Sequence, residues 1–380
     1  MAIKFNRFEW AGSIGDIGTD LPLLIAMISA AQLDVASTFI MFGLMQMLTG
    51  LVYGLPMPMQ PLKAMAVLVI SQKLPGSTLY AAGFVIGVLM LLCSAFGLLD
   101  RLKTRIPHQV VRGVQLGLGF SLIKISLLNY VFPSDTQALF LALLAGVIYF
   151  VAKQKSRFPA AFIFIFAGVI YALGVKGQDL GFLMAPRLSL PQLASPQWQE
   201  LWPAFLILVL PQFPLSLANS VIATQQTVED FFPDQKISLK KIGLTYGVAN
   251  VLVPFFSGVP LCHGSGGLAG HYGFGARTGG SVIIYGSFYL FTGLFFSHAL
   301  TQVMAFFPTP ILGVILFFEA IVLLGLARDL REHRQKLGIA LMVGAICVLL
   351  PQGFLMGMIF GVVMSWIIDN KKRPLLKDQK

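Results

Sequence analysis

GLPMPMQPLKAMAV, residues 54–67, decides how the rest of the chain is read. Pro56, Pro58 and Pro61 interrupt an apolar stretch, and Lys63 follows directly. Proline lacks an N–H and its ring clashes with the preceding turn, so no regular helix runs through three of them. The surroundings are those of a membrane protein. Of the 380 residues, 56% are hydrophobic and 11% charged, where soluble domains carry roughly 25% charged residues. Apolar runs long enough to span a bilayer recur from end to end.

The sequence predicts an all-α polytopic membrane protein with segments near 12–31, 36–54, 61–73, 78–99, 109–130, 136–152 and 159–175, then 201–226, 238–257, 264–275, 280–304, 308–327, 335–350 and 352–369. Two of these fourteen, 61–73 and 264–275, are too short to cross a core of ~30 Å at ~1.5 Å per helical residue.

The net charge of +11 could suggest nucleic acid, but its placement excludes that partner. Basic residues gather between apolar runs: Arg101, Lys103 and Arg105; Lys153, Lys155 and Arg157; Lys236, Lys240 and Lys241; Arg328, Arg331 and Arg334; and the KKRPLLK tail. With the N-terminus cytoplasmic, these loops all fall inside, as the positive-inside rule requires, and so does the C-terminus. The opening residues show no signal peptide, so the expected location is the inner or plasma membrane. Cys93, Cys262 and Cys347 form neither a disulfide framework nor a metal spacing, and no cofactor is expected.

The two short segments match. Gly54-Leu55-Pro56 precedes the first and Gly258-Val259-Pro260 the second, an offset of 204 residues that also carries Asp16 to Ser220. This is a faint repeat of seven segments. Seven is odd, so the second copy enters the membrane from the other side, giving a 7+7 inverted repeat. Non-helical backbone survives in lipid only where protein buries it or a cavity adjoins it. Each arm is therefore expected to run extended to the midplane and then start a half-helix, with Pro61 in the first turn of one. Facing half-helix N-termini aim N–H groups and positive dipole ends at one point, which suits an anion. Gly264, Gly266, Gly267 and Gly270 allow close backbone approach on the second arm.

At these residues the chain resembles the molybdate transporters of plants and bacteria, distant relatives of the sulfate permeases. The stretches that carry the resemblance are GSIGDIGT (12–19), PMPMQPLKAMA (56–66), LPQFPLSLANSVIAT (210–224) and PLCHGSGGLAGHYGFGARTGGS (260–281). The last is long and specific. The resemblance implies a core domain from 1–105 and 201–305, a gate domain from 106–176 and 306–370, an extracytoplasmic linker at 177–200 and a basic cytoplasmic tail at 371–380. It implies molybdate as substrate, with tungstate or sulfate as related anions, and no soluble C-terminal domain.

Lys63 suits a dianion or a nearby carboxylate; a structural ion pair or snorkelling is the bland alternative. Asp16, amid glycines rather than at a helix end, is expected to carry a proton or to partner Lys63, unless it is a buried acceptor. His263, at the entrance of the second half-helix, reads as a donor to the anion and a second proton carrier, or else as a helix cap. Thr19, Gln60, Gln212, Asn219, Ser220 and Ser265 are neutral donors; such groups hold an oxyanion without leaving a buried charge behind. Each could instead bond between helices. Arg277 could draw anions to the cytoplasmic face, and Glu229 and Asp230 read as solvated loop charge or a proton relay. His271 and Glu319 have no assigned role.

Secondary active, proton-coupled uptake is the expected function. A sulfate or general oxyanion permease stands beside it, and an anion channel is a different class of answer. An enzyme is not expected, because no HExxH pattern occurs. A homodimer through the gate domain is compatible with the sequence.

Overall fold

In this computed structural model the described residues are 2–103, 107–132, a discontinuous set between 136 and 150, 186–306 and 309–375. Among them, seven helical stretches are long and apolar enough to cross a membrane: Arg7–Ala31, Val35–Tyr53, Gly76–Ala95, His108–Val131, Trp198–Phe231, Gly280–Met304 and Thr309–Leu330. Arg334–Leu349 and Gly353–Leu375 complete the described helices at the C-terminal end. The segment expected at 159–175, most of that at 136–152 and the end of the tail lie outside the described residues.

The first predicted segment is not continuous. Arg7–Ser13 and Ile17–Ala31 are separate helices, and Asp16 is the N-cap residue of the second. The expectation that Asp16 sits away from a helix end is therefore wrong. The break brings Gly15 against the backbone of Gly270, where a Cβ would lie 2.5 Å from the Gly270 carbonyl carbon. Only glycine permits that approach.

The segment expected at 201–226 is longer, a rod from Trp198 to Phe231 with two π turns, Phe205–Val209 and Ser216–Ile222. Pro203, Pro211 and Pro214 lie in or beside its α turns. Each proline removes an intrahelical donor and crowds the carbonyl one turn back, which a widened turn relieves.

Two helix pairs flank the short segments. Val35–Tyr53 packs on Gly280–Phe306, and Gly76–Ala95 packs on Leu239–Leu252. The first pair meets at small residues, with Gly43 against the Gly286 carbonyl and Gly50 against Gly279, the close packing available to helices in lipid. A second group forms where His108–Ile125 packs against Thr309–Gly325, Arg334–Leu349 and Gly353–Leu375.

Between the flanking pairs lies the one departure from an all-α reading among the described residues. Met59–Pro61 (β1) and Leu261–His263 (β2) form an antiparallel ladder, pairing Met59 with His263, Gln60 with Cys262 and Pro61 with Leu261. Pro61 is thus a strand residue, not the first turn of a helix. The helix that follows runs Lys63–Gln72, and Ser265–Gly273 follows β2.

A two-stranded sheet has two open edges, each costly where water is absent. Side-chain amides close both. Gln46 Oε1 accepts from Met59 N at 2.9 Å while its Nε2 donates to Met59 O. Asn250 Oδ1 accepts from Leu261 N at 2.8 Å while its Nδ2 donates to Leu261 O at 2.6 Å. Each amide takes the place of a third strand.

Candidate functional site: a cavity beside the strand pair

A three-residue ladder is on the order of 10 Å long, so the antiparallel pairing brings the starts of the two short helices close together. A cavity of about 200 Å³ lies beside them. Four oxygens around one central atom need about 120–150 Å³ at ~30 Å³ per water-sized group. One tetrahedral oxyanion fits.

The cavity wall comes from four places. The first arm gives Gln60, Lys63 and Ala64, and the second gives Cys262, His263, Gly264, Ser265 and Gly266. Gln212, Leu215, Asn219 and Ser220 come from the long rod, the last two from its π turn. Gln115, Leu118, Leu323 and Leu326 come from the second helix group. No Asp or Glu is among these residues. Of the residues singled out in the sequence, Gln60, Lys63, Gln212, Asn219, Ser220, His263, Gly264, Ser265 and Gly266 lie on this wall, while Thr19, Pro61 and Asp16 do not. Thr19 lies in the first turn after Asp16, its N–H donating to Asp16 O at 3.0 Å.

The hydrogen bonds differ from expectation at both glutamines. Gln60 Nε2 donates to Asp16 Oδ1 at 2.8 Å and Oδ2 at 2.7 Å. Its donor is committed, and its Oε1 faces Gly264 so closely that a Cβ there would lie 2.0 Å away. Gln212 Oε1 accepts from Ala64 N at 2.9 Å and Met65 N at 3.2 Å, capping the first short helix. Its Nε2 donates to Ser216 Oγ at 3.0 Å, and Ser216 meets Tyr246 Oη at 2.9 Å. The two helix N-termini are consequently not equivalent. The first is capped by Gln212, whereas among the described residues no side chain caps the second, behind Gly264.

Lys63 is the first residue of its helix. Asp20 is fully buried and accepts from Tyr285 Oη at 3.1 Å. It sits one turn after Asp16 on the same helix face, a spacing that could have marked it in the sequence. His263 is fully buried, with Nε2 2.7 Å from Thr245 Oγ1 and its ring edge-on to Tyr53. It closes β2 and does not cap the helix, which starts after Gly264.

Other singled-out residues lie elsewhere. Arg277 stacks on Tyr272 with 3.6 Å from guanidinium to ring centre. His271 is buried beside Ser281, 3.1 Å away. Glu229 and Asp230 are exposed, and the Glu319 side chain is outside the described residues. Among the described residues no cluster of three His, Cys, Asp or Glu could hold a metal.

A polytopic helical membrane protein with an oxyanion-sized cavity at a helix discontinuity has the build of a membrane transporter. The chain belongs to the molybdate transporter family: the family model described as the molybdate transporter of the MFS superfamily matches residues 8–122 and 204–323. Every cavity residue except Leu326 falls in those ranges. The chain is 31% identical over 382 residues to molybdate transporter 2 of Arabidopsis thaliana, a match covering 86% of this chain and 80% of that protein. Family membership makes it a transporter and not an enzyme.

Solved structures give the fold. The transmembrane domain of the bicarbonate transporter BicA of a cyanobacterium superposes with a TM-score of 0.68 at 16% identity, covering 95% of this chain and 98% of that one. The murine solute carrier 26 family member A9 anion transporter, inward-facing, gives 0.75 at 15% identity, covering 98% and 69%. The chain shares its overall fold with these two transporters.

Proposed function

We propose that the chain imports molybdate across the inner membrane by proton-coupled alternating access, holding the dianion in the cavity beside the strand pair. One observation carries this reading: the wall combines Lys63, the uncapped helix start at Ser265 and Gly266, and neutral side chains, with no carboxylate among the described residues. Such a wall favours a multiply charged anion, because a dianion meets no like charge and the empty site leaves few charges unpaired. The name of the Arabidopsis relative supplies molybdate as the particular ion.

A dianion entering against about −100 mV is opposed by about 4.6 kcal/mol, twice the ~2.3 kcal/mol per unit charge. Two protons make the step electroneutral and three let the potential drive it. Asp16 is the proton site best connected to the cavity, since Gln60 bonds its carboxylate on one side and lines the cavity on the other. His263, on the wall itself, is the second.

The two strand–helix arms are the centres of a seven-plus-seven inverted repeat, with half-helices at the third and tenth of fourteen segments. Residues 1–105 and 201–305 form the moving core, and 106–176 and 306–370 the gate; both termini are cytoplasmic. The cavity wall draws on both groups, which is where relative movement would open it to either side.

Because neutral donors read charge and shape more than ion size, a general oxyanion permease is the second reading. Binding to purified protein in detergent separates them. Molybdate and tungstate that sulfate barely displaces, held more tightly as pH falls, is the expected result. Equal displacement by sulfate selects the general permease, and no oxyanion binding at all overturns both.

A further inference from the structure

Gln115 lies on His108–Ile125, in the second helix group, 1% exposed and on the cavity wall. Its Oε1 accepts from Arg112 Nη1 at 3.0 Å. Arg112 is in turn fixed by Asp329, to which Nε donates at 2.9 Å and Nη2 also donates. Guanidinium has only donors, so this contact settles which end of the amide is oxygen. The Nε2 end is therefore turned away from Arg112, and among the described residues no acceptor meets it.

A buried donor left unmatched is costly, and the surrounding protein normally supplies its acceptor. Here the remaining candidate is the cavity content. We infer that Gln115 donates directly to the bound oxyanion from the side opposite the strand pair, with Arg112 and Asp329 as positioning residues that hold the amide's polarity. This rests on the oxyanion reading of the cavity and adds a contact from the gate side. The anion then joins the two helix groups instead of lying wholly within one. The donor also favours oxygen-rich anions over halides, since a hydrogen bond rewards a directional acceptor.

Gln115→Leu keeps the bulk and removes the donor. Titration of molybdate into the purified full-length protein is expected to show about a 10- to 100-fold weaker dissociation constant, the range for a hydrogen bond to a charged group. Affinity within about twofold of wild type overturns the inference but leaves the oxyanion reading standing. No molybdate binding by wild type overturns both. A measurement on unaltered protein covers the case in which the variant does not fold. In a crystal structure with molybdate located by the molybdenum anomalous signal, an anion oxygen within about 3.2 Å of Gln115 Nε2 supports the contact. An anion bound out of its reach rules it out.

Discussion

Gln60 and Cys262 face each other across the middle of the β1–β2 ladder. Met59 opposes His263 and Pro61 opposes Leu261, so the operation that carries Gln60 to Cys262 exchanges the strands with their directions reversed. A local two-fold axis passes between them. The offset at this point is 202 residues, the same as from Lys63 to Ser265 at the helix starts. Before the strands it is 204, from Gly54 to Gly258 and from Gln46 to Asn250. Met57 and Pro58, inserted between the first Gly-Leu-Pro turn and its strand, make up the difference. The proposed inverted repeat draws its support from this axis. The chemistry does not follow the symmetry, because a lysine starts one helix and a serine the other. On the proposed reading, a cation on one arm and an uncapped helix on the other serve an anion better than two identical arms would.

The equivalence of Gln46 and Asn250 predicts equivalent losses. Gln46→Leu strands the N–H and C=O of Met59, and Asn250→Leu strands those of Leu261. Each buried orphan costs about 1–3 kcal/mol, so each substitution should destabilise by about 2–6 kcal/mol. Unfolding of the purified protein in micelles measures this. A change below about 0.5 kcal/mol at either position, the range of a neutral surface substitution, would mean the strand edges are not held this way.

Gln212 separates capping from binding. Gln212→Glu keeps an acceptor for Ala64 N and Met65 N and adds a negative charge to the cavity wall. Gln212→Leu removes the cap without adding charge. The Glu variant should keep its helix capped yet lose molybdate affinity by more than tenfold through like-charge repulsion. The Leu variant should lose about 1–3 kcal/mol of stability, the cost of uncovering buried donors. Unchanged molybdate affinity in the Glu variant would place the anion away from Gln212.

What the sequence made legible was local. Proline and glycine at 54–61 and 258–267 announce a broken helix wherever they stand, so both arms and most of the cavity wall could be read from them. The spending of hydrogen bonds could not be read. Gln60 with Asp16 spans 44 residues and Gln212 with Ala64 spans 148, and tertiary packing alone decides those partners. Both glutamines looked like donors to substrate, and both are committed to protein. Gln115 carried no local mark, being one glutamine in an otherwise ordinary span. The break before Asp16 was missed because the apolar run from 12 to 31 reads as one segment.

Gly266 and Gly267 are neighbours with opposite expectations. A Cβ on Gly267 would lie 2.2 Å from Asp16 Oδ2 and 2.7 Å from Pro58 Cγ, so Gly267→Ala must displace the carboxylate from Gln60. A Cβ on Gly266 meets nothing within 4 Å and lies at the cavity wall. Gly266→Ala should leave stability unchanged or raise it by up to about 1 kcal/mol through helix propensity, while reducing room for the anion. Gly267→Ala should cost about 1–3 kcal/mol, as overpacking does. Unfolding and uptake assays on the pair distinguish these. Equal behaviour of the two variants would mean the Asp16–Gly267 contact is not tight.

Asp16→Asn tests the coupling. Asparagine keeps an oxygen for Gln60 Nε2, so the wall of the cavity should hold and molybdate should bind within a few-fold of wild type. What it removes is a site that gains and loses a proton. In wild-type proteoliposomes, uptake should rise as external pH falls from about 8 to about 5, because inward proton flow accompanies the anion. With Asp16→Asn that rise should vanish, and accumulation against a gradient should stop. Exchange of internal for external molybdate should continue, since it needs only the loaded carrier to turn over. A variant that still accumulates molybdate when acid is outside would move the proton site from Asp16 to His263. A variant that loses exchange together with accumulation would make Asp16 a structural acceptor, because a pure coupling site is dispensable for exchange.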